Sequence, residues 1–318
     1  MTRRRPGGSR TPSATRLAAL CGLVLLAACG NEVPAGGVNA PPQPVSRRLA
    51  PNEVIPADLD VVVRVDLARL KDALGAEPEK QIAARLGTDP QVAAALRKGR
   101  SATLGLRSID LEKGDHVLVV EGDMKSFTLD EASYEPQPSA NDRVRVFLRK
   151  TPTTRSGTEA MVLMDDSAVA FASPSEADAI LRVVKDGADE ERGQPTAEGL
   201  LSFDMRPRRL SADLEQRFPS IARLVSQIQR VRGTVHVEAE ALVLRVEVIA
   251  KSDASADRVS RFLSVLKDGA DPQGTSALLK TLEVEPLGGV VSVRLRVPAA
   301  VVLAALADAE PQSSAGAP

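Results

Sequence analysis

A strand-like alternation occurs three times along the chain, each time with a helical segment after it. In Val61-Val62-Val63-Arg64-Val65-Asp66-Leu67 the positions Val61, Val63, Val65 and Leu67 share one side and are all apolar, the two-residue period of a strand that buries one face. The pattern returns over residues 200–205 with Leu201, Phe203 and Met205, and over residues 290–297 with Val291, Val293, Leu295 and Val297. Pro298 opens the last helical segment, where its fixed φ suits a first turn. A chain patterned this way must fold around a sheet.

A second recurrence is closer in detail. Lys185-Asp186-Gly187-Ala188-Asp189 returns as Lys267-Asp268-Gly269-Ala270-Asp271. The preceding stretches match as well: Ala177, Ile180, Leu181 and Val184 take the spacing of one helix face, and Val259, Phe262, Leu263 and Leu266 take it again. Gly187 and Gly269 are expected to end both helices in the left-handed conformation, and Ser173-Pro174-Ser175-Glu176 reads as an N-cap with its capping-box partner. Hairpins precede the helices, residues 161–164 with 168–172 and residues 234–237 with 242–250. Each unit therefore reads strand, helix, antiparallel strands, helix. The first also carries an inserted helical stretch over residues 78–98 and strands over residues 116–121 and 144–148. The expected architecture is α+β, a ferredoxin-like duplication whose antiparallel sheets are covered by helices. Its divisions are 53–192 for the first unit, 193–310 for the second with a closing strand and helix, and 311–318 for a tail expected to be disordered.

Composition narrows the chemistry. With one tyrosine, no tryptophan and six phenylalanines, the core must be aliphatic, and stacking platforms for single strands or sugars are nearly absent. The chain has only two cysteines and two histidines. His236 shares the polar side of its strand with Glu238, and His116 reads as a strand-end residue.

The amino-terminal residues form a separate signal. Arginines at positions 3, 4, 5, 10 and 16, with no acid before Cys29, precede an apolar stretch over residues 17–28. Twelve residues fall short of the roughly 20 a membrane-spanning helix needs, so the stretch reads as the core of an export signal. It ends Leu26-Ala27-Ala28-Cys29, which resembles the lipobox of bacterial lipoproteins. That resemblance implies cleavage before Cys29, acylation of its thiol and new amino terminus with diacylglycerol and fatty acid such as palmitate, and attachment to envelope lipid. Gly30 and Asn31 after the cysteine favour the outer membrane on the same resemblance. Several acyl chains hold a protein stably where one holds it only marginally, each buried methylene contributing roughly 0.8 kcal/mol. Removing residues 1–28 takes away five of the 41 basic residues and none of the 42 acids, leaving a net charge of −6 that argues against nucleic acid as a partner. Cys21 leaves with the leader and Cys29 is the lipid site, so no thiol remains for catalysis or a disulfide.

From residue 29 to 52 the chain is rich in proline and glycine and reads as a tether. At about 3.1 Å per residue it reaches roughly 70 Å. Such a tether, a strand ending Val65-Asp66-Leu67, and Val119-Val120-Glu121-Gly122-Asp123 farther on together resemble bacterial lipoproteins of unknown function, a likeness that implies no catalytic residues.

Catalytic motifs are missing: the chain holds no Gly-x-Ser-x-Gly, no Walker loop, no dinucleotide fingerprint and no His-Glu-x-x-His. The acids at 186, 189, 190, 191, 268 and 271 lack the alternating oxygens and distal glutamate of an EF-hand. No cofactor or metal is expected. Arg206, Arg208 and Arg209 form the densest basic run of the body and are the candidate anion-binding residues. The expectation is a non-catalytic, lipid-anchored envelope protein that binds a partner protein or scaffolds a complex. A carrier of an apolar ligand such as lipid is the alternative, and a carboxylate-dependent hydrolase comes third.

Overall fold

The computed structural model describes residues 49–75, 89–107, 115–139, 141, 143–153, 157–187, 195–207, 216–270 and 274–302. Cys29 and the lipobox residues Leu26, Ala27 and Ala28 lie outside them, as do Arg208, Arg209 and the terminal tail.

Twelve strands form one antiparallel sheet in the order β11-β12-β10-β9-β8-β1-β2-β3-β7-β6-β5-β4. They are β1 (Val61–Asp66), β2 (Gly99–Leu106), β3 (His116–Gly122), β4 (Tyr134–Gln137), β5 (Val144–Arg149), β6 (Ala160–Met164), β7 (Ala168–Ala172), β8 (Leu201–Met205), β9 (Ile228–Glu238), β10 (Ala241–Ala250), β11 (Glu283–Leu287) and β12 (Val290–Pro298). The described helices are α1 (Leu67–Leu74), α2 (Pro90–Lys98), α3 (Pro174–Asp186), α4 (Pro219–Val225) and α5 (Asp253–Asp268). The architecture is α+β, as the alternation requires. In place of small ferredoxin-like sheets, β1 and β8 pair from Val61↔Met205 to Val65↔Leu201 and fuse the halves into one sheet. The pairing satisfies backbone groups that two separate sheets would have left on open edges.

Strand alternation divides the core into layers. On one face Val62, Val117, Val119, Val146, Val162 and Ala170 pack beneath α3 and the 3-10 turn Pro51–Val54. On the other, Ala102, Leu118, Val120, Met161 and Phe171 meet Leu67 of α1 and Val92, Ala95 and Leu96 of α2. That second face continues across the sheet as Phe203, Met205, Val231, Val246, Val248 and Val291, packed against Ala256 and Val259 of α5. The first half is thus covered on both faces.

Local chemistry sets the helix ends. Asp66 Oδ1 accepts from the Arg69 backbone N–H at 2.9 Å to start α1, and Asp89 caps Gln91 at 2.8 Å with Pro90 at the first turn of α2. Helix α3 presents Ala177, Ile180 and Val184 inward as expected. Its start differs from a capping box: Ser173 makes no side-chain cap bond, its Oγ accepting instead from the His116 N–H at 2.9 Å, while Glu176 turns to Arg107. The two terminating glycines differ also. Gly187 has a positive φ of +94° but an extended ψ of 170° in place of the left-handed helical pair, whereas Gly269 keeps right-handed helical geometry. Both edge strands carry a proline, Pro136 in β4 and Pro286 in β11, which removes a donor where another strand would add.

Candidate interaction surface on the polar half-face

The first face changes character beyond β1. One row of register partners runs Val62, Asp204, Arg232, Glu247, Ser292 and Glu285; the next runs Arg64, Ser202, Thr234, Arg245, Arg294 and Glu283. Apolar cover gives way to charge within one strand. Among the described residues no helix packs over this half-face, and a concavity of about 710 Å³ opens on it between residues 195–204 and β11.

Ion pairs organise the surface. Arg230 clasps Asp204, whose side chain is almost fully buried. Arg232 Nε meets Glu247 Oε2 at 2.5 Å. Arg245 and Arg294 stand directly opposite each other, an arrangement that would repel, and Glu238 bridges them at 2.7 and 3.0 Å. The hydrogen bond from Arg245, with Arg294 beside it, holds the Glu238 carboxyl below the usual carboxylate range. Glu283 lies 3.9 Å from Arg294. His236 lines the same concavity, with Nε2 2.9 Å from Thr234 Oγ1, which agrees with the polar side expected for it.

Residues 195–200 border the surface as a strap. The Ser202 hydroxyl donates to the Thr196 carbonyl at 2.6 Å, and the Leu200 N–H donates to Val235. Gly199 makes this path feasible: its φ is +77°, and a Cβ there would lie 2.4 Å from the Val235 carbonyl oxygen.

Two further polar clusters serve the fold. Arg107 donates through Nε and Nη2 to the fully buried Glu176 at 2.5 and 2.8 Å, and through Nη1 to Asp58 at 2.6 Å. These bonds, the Glu176 bond foremost, hold the guanidinium well above its ordinary range. The clamp joins the end of β2, the start of α3 and the segment after the first 3-10 turn. In the other cluster the Tyr134 hydroxyl donates to Asp89 at 2.9 Å, Arg149 donates to both, and the guanidinium carbon sits 5.2 Å from the centre of the tyrosine ring. Burial, with Asp89 adding, pushes the phenol up to about 12.

Of the basic run, Arg206 lies directly after β8, half-buried, and its N–H donates to the Asp60 carbonyl at 2.8 Å. Among the described residues no group of three or more His, Cys, Asp or Glu side chains is placed to share a metal ion, and no helix is long and apolar enough to cross a membrane. Asp189, Glu190, Glu191 and Asp271 of the acidic repeats lie outside the described residues.

No family model matches the chain, and no curated protein matches it. Among solved structures the chain is similar to TP0453. Crystal form I of that protein is 9% identical over 82% of this chain and 97% of that one, with a TM-score of 0.48. Form III is 10% identical over 82% and 98%, with a TM-score of 0.45.

Proposed function

We propose that this chain is a lipid-anchored envelope lipoprotein, tethered to the outer membrane through Cys29, whose body docks a hydrophilic partner protein on the open half-face of β8–β12. The observation that carries the docking reading is the asymmetry of the sheet. Three of its four half-faces are apolar and packed against helices, and the fourth is a ladder of arginines and carboxylates over which no helix lies among the described residues. Holding side chains in such a ladder costs conformational entropy, and exposed ion pairs return little stability, about 0–1 kcal/mol each. A ladder suits recognition better than folding, because complementary charge gives specificity and speeds encounter. The charged lining favours a polar partner over an apolar ligand. Outward from the β1–β8 junction the strand orders β1-β2-β3-β7-β6 and β8-β9-β10-β12-β11 correspond, which supports reading the halves as two copies of one unit.

The anchoring and docking parts separate experimentally. Cys29→Ala should move the protein from the membrane pellet to the soluble fraction; retention in the pellet would contradict the anchor. Arg245→Ala with Arg294→Ala should lower the yield of a partner crosslinked in native envelopes several-fold while far-ultraviolet circular dichroism is unchanged. An undiminished yield would contradict docking at this face.

A further inference from the structure

Resting on the docking reading above, we infer that the partner presents a basic segment to the concavity. The argument is one of pairing. The four arginines that line the concavity already hold carboxylates: Arg230 holds Asp204, Arg232 holds Glu247, and Arg245 and Arg294 share Glu238, while Arg64 and Arg296 of the same face lie outside its lining. Two lining carboxylates, Glu198 on the strap and Glu285 on β11, are exposed and have no ion-pair partner among the described residues. They sit at opposite rims, since β8 and β11 bound this half of the sheet. Glu283, at 3.9 Å from Arg294, is only loosely held. The charge left for an incoming ligand is therefore negative, and it is spread across the groove rather than gathered at one point. An extended segment with lysines or arginines at intervals could meet both rims while its backbone lies over Thr234, Ser292 and His236. An acidic segment would have to displace ion pairs already made.

The test uses the full-length purified chain and fluorescently labelled hexalysine and hexaglutamate peptides, read by anisotropy at low salt. Hexalysine should bind, and Glu198→Gln with Glu285→Gln should weaken it by about fivefold or more, the scale of one to two lost charge contacts. Asp178→Asn with Asp257→Asn, the same charge change on exposed positions of α3 and α5, should leave binding unchanged. Equal loss in both double variants would reduce the effect to net charge and overturn the inference. Preferential binding of hexaglutamate, lost with Arg245→Ala and Arg294→Ala, would overturn the sign of the partner's charge while leaving docking at this face intact. Absence of hexalysine binding also overturns the inference and leaves the docking reading to the crosslinking result.

Discussion

Glu176 shows how much one side chain can hold. Fully buried and fixed by two bonds from Arg107, it would be stranded as an unpaired buried charge in Arg107→Met. That change should cost about 3–5 kcal/mol, because burying a lone carboxylate is far more expensive than the net worth of the pair. Replacing both partners, Arg107→Met with Glu176→Leu, should recover most of the loss in urea denaturation. A double variant as unstable as the single would show that the clamp is needed for its own sake. Tyr134 makes a second prediction. A phenol raised from 10.0 to about 12 in the fold binds its proton more tightly when native, so its contribution is fully present below pH 10 and is lost as pH rises through 12. The loss should be roughly 2–3 kcal/mol, and Tyr134→Phe should flatten that part of the stability profile.

At the scale of elements, strands depend on what lies beside them. Ala239 turns the β9–β10 hairpin at φ +57°, where a side chain is strained, so Ala239→Gly should stabilise by about 0.5–1 kcal/mol in thermal unfolding. Pro286 keeps β11 from accepting another strand, and Pro286→Val should raise self-association measured by sedimentation velocity; a strictly monomeric variant would remove edge protection as the role of this proline. These elements were unequally legible. The inward face of α3 and strand β1 follow from periodicity, and β7 and β10 from apolar stretches read as hairpin arms. Strand β2 is weakly marked: Ala102, Leu104 and Leu106 alternate, but with the small residues Gly99, Ser101, Thr103 and Gly105, and Ser101 and Thr103 are buried, because a central strand paired on both sides can bury small polar residues in the layer. A Cβ on Gly105 would meet Leu59 at 2.5 Å, so a packing demand from another segment fixes a residue that local patterning reads as a loop. Strands β4 and β11 were hidden because the prolines that protect the edges also break the strand signal.

The whole molecule explains why the candidate surface was only half visible in the sequence. The alternation of Arg230, Arg232, Thr234, His236 and Glu238 along β9 marks a polar face, and His236 was placed on it correctly. That Asp204, Arg245, Glu283 and Arg294 join that face depends on register between strands far apart in sequence, which no local pattern records. Of the basic run that stands out locally, Arg206 is half-buried just past β8, and Arg208 and Arg209 lie outside the described residues. Cover follows the same logic: helices lie over the two apolar half-faces of β1–β7 and over one of β8–β12, and among the described residues none lies over the charged one. The most direct measurement is photo-crosslinking in native envelopes, with a benzophenone amino acid placed at Ser292 in the open ladder or at Asp257 on the exposed side of α5. The account predicts a discrete crosslinked species from Ser292, weakened by raised salt, and none from Asp257. The same species from both positions, or from Asp257 alone, would contradict it.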